Sequence, residues 1–174
     1  WRDGTNRTRR DRRLATGGDV STYADALPGI QERLESVPGL ARVIPGEPSS
    51  MPVDEAGALI SPLCYFLFDS TQALPQRPKR GDKCMVMIRV LVRWIDNEHC
   101  EEELAPFVDA VPDAFDPDIH AADEDGHPLP TLGGRVAMAQ LLSAQSGESA
   151  GFHTIADVPY RSIAWTLAIT RKAN

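Results

Sequence analysis

Nowhere does an apolar run approach the roughly 20 residues needed to cross a bilayer as a helix, so no helical membrane span is expected. Cysteine is scarce. Cys64, Cys84 and Cys100 are the three present, an odd number without CxxC spacing, which argues against a disulfide scaffold and for a reducing compartment such as the cytoplasm. The N-terminal stretch is charged and lacks the apolar segment that secretory signals use. Several motifs of enzyme chemistry are also missing: there is no HExxH, no phosphate-cradling GxxxxGK and no dinucleotide fingerprint, and Leu132-Gly133-Gly134 reads as a turn rather than a nucleotide loop. With these motifs absent, no nucleotide or metal cofactor site is marked, and no GxSxG nucleophile elbow is expected either.

What is present in excess is acid, unevenly placed. The net charge of −7 combines a +3 stretch at residues 1–19, six arginines against three aspartates, with a body of −10. Such an arm can bind phosphate backbones through counterion release, but it carries a single aromatic and no apolar periodicity, so it reads as a basic, disordered leader. The chain opens without methionine, and "VSTYADAL" from Val20 has the character of an ordinary start. The expectation is translation from Val20, with residues 20–174 forming one domain, for which the length suffices.

Leu27, Ile30, Leu34 and Val37 recur at helical spacing opposite Gln31, Glu32, Arg33 and Glu35, which predicts an amphipathic helix with Pro28 in its first turn and Pro38-Gly39 as its stop. "LARVI" reads as a short strand, residues 45–62 as a long Pro-rich connection, "LCYFLFD" as a buried strand, and "STQALPQRPKRGD" as a basic hairpin tip. From Cys84 to Asp96 the chain alternates. Cys84, Val86, Ile88, Val90, Val92 and Trp94 make a core face, while Met85, Met87, Arg89, Leu91, Arg93 and Ile95 make a face that neither solvent nor core explains. Asn97 is the expected cap of a second helix, with glutamates in its early turns and a buried stripe of Leu104, Phe107, Val108, Val111 and Phe115; Pro106 predicts a kink or a late start. A polar loop, "DPDIHAADEDGHPLPTLGG", then precedes two strands, "RVAMAQLL" and "YRSIAWTLAITRK". Clustered strands with hairpin-length connections and two helices argue for an α+β fold, mainly antiparallel, with both helices on one face of the sheet.

The acidic loop offers Asp116, Asp118, His120, Asp123, Glu124, Asp125 and His127, but its spacing fails for calcium. Setting Asp123 and Asp125 as third and fifth ligands puts Ala121 first and Leu132 twelfth, where oxygen ligands are required. His99 and Cys100 sit at successive helical positions that do not face one another, a poor metal or thiol–imidazole pair. Arg89 and Arg93 are more informative. They share one face of the longest strand with Leu91 and two methionines, and arginine and methionine are enriched at protein interfaces. The alternative is an exposed sheet face with snorkelling arginines.

The helix "YADALPGIQERLESVPGLARV", the strand "LCYFLFDS", the unit "MIRVLVRWIDNEHCEEELAPFVDAV", the turn "LGGRV" and the ending "HTIADVPYRSIAWTLAIT" together resemble the tail terminator, or tail completion, proteins of long-tailed bacteriophages, over about residues 21–172. The resemblance implies an α/β sandwich and a structural virion protein. It implies a homohexameric ring on the last ring of the tail tube that ends tube polymerisation and docks the neck of the head, with DNA passing through the lumen without specific binding and no catalysis. The expected partners are thus the chain itself, the tail tube protein and a neck or head-completion protein, at the tail–neck junction of a virion assembled in the host cytoplasm.

A ring uses heterologous contacts, in which one patch meets a different patch on the neighbour. Candidate patches of opposite sign are the strand face at Arg89 and Arg93, the basic tip at Arg77, Lys79 and Arg80, and the acidic loop at Asp116, Asp118, Asp123 and Asp125. Three other readings compete: a neck or head-closure subunit on the portal side, a small metal-assisted hydrolase using the acidic loop, and a nucleic-acid-binding module using the arginine arm.

Overall fold

The structure is a computed structural model that describes residues 19–50, 52–72, 83–115, 118–122, 128–129, 131–142 and 150–170. In chain order the elements are α1 (Asp19–Glu35), β1 (Arg42–Pro45), β2 (Leu63–Gln72), β3 (Lys83–Arg93), α2 (Asn97–Ala114), β4 (Asp118–Ala122), β5 (Pro128–Leu129), β6 (Met138–Leu142), β7 (Ala150–Ile155) and β8 (Val158–Thr170). Of the basic arm at residues 1–19 only Asp19 is described, and it opens α1 rather than belonging to a leader; of the basic tip at 70–82, Ser70, Thr71 and Gln72 belong to β2 and 73–82 lie outside the described residues.

Six strands form one sheet in the order β1-β2-β3-β8-β6, with β7 also paired to β8. Every pairing is antiparallel except β1 with β2. β3 lines one edge of β8 from Tyr160 to Thr170. On the other edge β7 takes Val158–Ile163 and β6 takes Thr166–Thr170. This is the expected α+β architecture, a mostly antiparallel sheet with two helices packed on it.

The main core lies between the helices and one sheet face. Cys84, Val86, Ile88, Val90 and Val92 of β3 and Trp165, Leu167 and Ile169 of β8 meet Ala26, Ile30 and Leu34 of α1 and Cys100, Leu104, Phe107 and Val111 of α2. On α2 these residues recur at the helical period, as a stripe buried against a sheet requires. Each Val, Leu, Ile or Phe side chain among them contributes about 1.5–3 kcal/mol by leaving water.

Several local expectations are corrected. α1 begins at Asp19, so Pro28 lies inside it rather than in its first turn. α2 runs unbroken through Pro106 and Pro112, with no late start. Its cap is Asp96, not Asn97: the Asp96 carboxylate accepts a hydrogen bond from the His99 backbone N–H at 2.8 Å, satisfying one of the four N–H groups a helix start leaves unpaired. Trp94 is expected in the core but is 40% exposed, one residue beyond the end of β3, where its ring packs on the exposed Phe152. Val108 is 47% exposed, since the buried stripe of α2 passes through its neighbour Phe107 instead. The acidic loop holds a two-stranded ribbon, β4 with β5.

One strand of the main sheet also went unread. β7 joins β8 through a two-residue turn, Ala156-Asp157, whose φ angles of 47° and 65° are both left-handed. That geometry matches the twist of a hairpin, but Asn-Gly or Asp-Gly is its usual sequence. The Leu132-Gly133-Gly134 turn is confirmed, with all three residues at positive φ. It seats Leu132 against α1 at Gly29, where an added Cβ would come within 2.9 Å of the Leu132 Cβ and 3.1 Å of its carbonyl oxygen. Arg135 then grips Glu32 with two hydrogen bonds, of 2.7 and 3.0 Å, which hold the Glu32 carboxyl below its ordinary range.

All three cysteines are buried thiols. Burial pushes the Cys64 thiol up to about 12, so it stays protonated and non-nucleophilic at pH 8. Iodoacetamide at pH 8 is therefore expected to leave Cys64 of the folded protein unmodified by peptide mass mapping and to alkylate it after unfolding in urea. Modification of folded protein would contradict the burial.

Candidate functional site

The face of β3 that carries Arg89 and Arg93 is half core. Register places Leu63, Tyr65 and Leu67 of β2 opposite Leu91, Arg89 and Met87 of β3. Leu63, Tyr65, Leu91, Ile155 and Tyr160 form a second buried cluster, with Ile44, Leu67, Met87 and Val158 around it. The β7–β8 hairpin contributes Ile155 and Tyr160, so its missing β7 is what made the face unreadable as core.

Arg89 is built into this cluster. Its Nη1 lies 2.9 Å from His153 Nδ1 on β7, and Nη2 is 3.7 Å from the Met87 sulfur. A guanidinium only donates, so His153 Nδ1 accepts and the ring proton sits on Nε2. Nε2 is 2.9 Å from Glu47 Oε1 and donates to it, and the Tyr65 hydroxyl lies 3.4 Å from the same nitrogen. Arg89, His153 and Glu47 thus form a chain of hydrogen bonds that ties β3 and β7 to the connection after β1. Burial raises the Tyr65 hydroxyl above its ordinary range, and nearby Arg89 partly opposes that. Burial also raises Tyr160. The Arg89 Nε and the Tyr160 hydroxyl are buried and have no hydrogen-bond partner among the described residues.

Arg93 behaves differently. Four residues along the same strand face, about 13 Å away at 3.3 Å per residue, its side chain is exposed and has no ion-pair partner among the described residues. Its backbone N–H donates to the Ser61 hydroxyl at 3.0 Å. Two residues along the chain, Ile95 is 58% exposed, and on β7 Phe152 is 61% exposed. The Trp94 and Phe152 rings meet edge to face, with centroids 6.0 Å apart at 71°. The Arg161 guanidinium sits 5.4 Å from the Phe152 centroid and donates to Glu101 Oε1 at 2.9 and 3.0 Å. The result is an exposed aromatic pair on the α2 side of the sheet, whereas Arg93 lies on the opposite face, in register with Tyr160 and His153.

The structure therefore separates the two arginines: Arg89 braces the fold and Arg93 faces solvent. Arg77, Lys79, Arg80, Asp116, Asp123 and Asp125 lie outside the described residues, and Asp118 is described only in its backbone, opposite Leu129 in the β4–β5 ribbon. Among the described residues, no group of three or more His, Cys, Asp or Glu side chains is placed to hold a metal, and no helix is long and apolar enough to cross a membrane.

Sequence reasoning passed over His153, Glu47, Trp94 and Phe152. The period of β3 assigned Trp94 to the core, and no motif marks the other three. The expectation that no GxSxG occurs is corrected as well: Gly147-Glu148-Ser149-Ala150-Gly151 has the spacing of that nucleophile elbow. An elbow needs a strand before the serine and a helix after it, but Ala150 and Gly151 open β7, and residues 147–149 lie outside the described ones. Comparison with protein-family models and with curated proteins returns no match for this chain.

Proposed function

We propose that the chain is a structural virion subunit that forms a ring at the head-proximal end of a phage tail tube, ends tube growth and presents a docking surface to the neck. The observation that carries this reading is the exposed aromatic pair Trp94 and Phe152, with the Arg161 guanidinium over the Phe152 ring. Aromatic residues and arginine are the types that concentrate binding energy at protein interfaces. The α+β fold and the tail-terminator-like phrases of the sequence support the same reading. An acidic body suits a lumen through which DNA slides, because it does not hold phosphates.

The test is to add purified protein to polymerising tail tube protein and measure tube length by negative-stain electron microscopy. The expected outcome is shortened tubes carrying a ring at one end. Unchanged tubes would refute the terminator role. Binding to portal–connector complexes instead would favour the neck or head-closure reading.

A further inference from the structure

The exposed rings sit in a small surface at one end of the sheet. Trp94 donates its backbone N–H to the Pro159 carbonyl at 3.1 Å, and the register continues across β8 to Thr154 and Phe152 on β7. Trp94, Pro159, Arg161 and Phe152 therefore share the α2 side of the sheet, and all but Arg161 are exposed. Acid borders them. Arg161 is neutralised by Glu101, to which it donates two hydrogen bonds. Glu98 stands three residues before Glu101, about 60° round the helix, and Asp96 follows Trp94 by two; both are exposed. No lysine or arginine occurs between Arg93 and Arg135, so α2 brings none to this rim.

A ligand of matching chemistry lies in the same sequence. Residues 74–80, "LPQRPKR", mix proline with basic residues. In the polyproline II form, which repeats every three residues, Pro75 and Pro78 fall on one edge and Arg77 and Arg80 on another. Aromatic-lined surfaces take up such Pro-x-x-Pro segments because little entropy is lost in ordering them. A chain cannot serve itself. Gln72 and Lys83 pair at the base of the segment, so residues 73–82 reach no more than about 20 Å from that pair. Trp94 lies past the other end of β3, about 36 Å from Lys83 at 3.3 Å per residue.

We propose that the surface of Trp94, Phe152 and Pro159 receives the basic, proline-rich segment 74–80 of a second copy of this chain. Pro75 and Pro78 lie against the rings, and Arg77 and Arg80 meet Asp96 and Glu98. Segment and surface belong to opposite ends of β3, so a copy that makes one contact keeps the other for its next neighbour, and the assembly closes into a ring where the rotation permits. The ring rests on the function proposed above; the pairing rests on charge, exposure and reach.

Complementation tests it. Full-length protein is compared by light scattering, over a wide concentration range, with Phe152→Ser, which lacks the acceptor, and with the double variant Arg77→Glu, Arg80→Glu, which lacks the donor. Far-UV circular dichroism and thermal melting check that each is folded. The unaltered protein is expected to self-associate, and each variant alone to associate at least tenfold more weakly. An equimolar mixture of the two retains one intact contact and is expected to stop at a dimer. A synthetic peptide of residues 72–82 is expected to dissociate the unaltered assembly, and a scrambled peptide of the same composition to leave it intact. Unaltered protein that stays monomeric at every concentration would overturn the proposal, as would a mixture that associates no better than its components, or equal effects of the two peptides. Association lost on starting the chain at Val20, with the peptide without effect, would give the surface to the arginine-rich arm and overturn it too.

The same variants in the tube-length assay separate the two claims. Self-association that follows these expectations without any effect on tubes would sink the tail-terminator reading and leave this contact standing. Undiminished tube capping by Phe152→Ser, with self-association undisturbed, would do the reverse.

Discussion

Truncating Phe107 to alanine is expected to lower stability by about 3–5 kcal/mol, while the same change at its neighbour Val108 is expected to stay within about 0.5 kcal/mol. Phe107 is 3% exposed and lies in the core between α2 and the sheet. Its ring also lies 3.5 Å from where a Cβ on Gly39 would stand, at the left-handed turn that ends the α1 segment. Losing the ring leaves a cavity that two helices and a sheet cannot all close. Val108 lies at the border of the buried stripe and is 47% exposed, so truncating it opens no enclosed cavity. Urea unfolding monitored by tryptophan fluorescence measures both. Equal losses would mean that α2 is rotated about its axis relative to the structure described.

His153→Leu is expected to cost about 2–3 kcal/mol, most of it through Arg89. The substitution removes the Nδ1 acceptor of the guanidinium and the donor to Glu47. Arg89 already has one buried N–H without a partner and would acquire a second unmet donor. Replacing Arg89 as well, with methionine, removes the stranded charge and leaves an apolar chain beside Met87. Such replacements are often close to neutral. The double variant Arg89→Met, His153→Leu is therefore expected to lose at least about 1 kcal/mol less than the sum of the singles, measured by urea unfolding. Additivity within about 0.5 kcal/mol would show that the two side chains do not act as a unit.

The sequence displays its main core plainly, because regular periods report burial. Ile30 and Leu34 on α1, Leu104, Phe107 and Val111 on α2, and alternate residues of β3 all lie where their spacing puts them. The second face of β3 did not yield to the same reading. Leu91 is fully buried there while Arg93, two residues on, is exposed. Burial on that face depends on a hairpin whose Ala-Asp turn carries no usual turn signal. Trp94 shows the converse failure. Its period is right, but period cannot say where the strand ends, and β3 stops at Arg93. His153 reaches Arg89 across 64 residues of sequence, a pairing that only the sheet register creates.

β8 is the last described strand in sequence and a central one in space, between β3 and the pair β6 and β7. On the ribosome, β1, β2, β3 and α2 emerge first, and the inner edge of β3 must then wait for Val158–Thr170. An unpaired strand edge as apolar as this one invites pairing with other chains. Until β8 is inserted, the nascent chain is a natural client for a chaperone, and many copies synthesised at once in one cell would raise that demand.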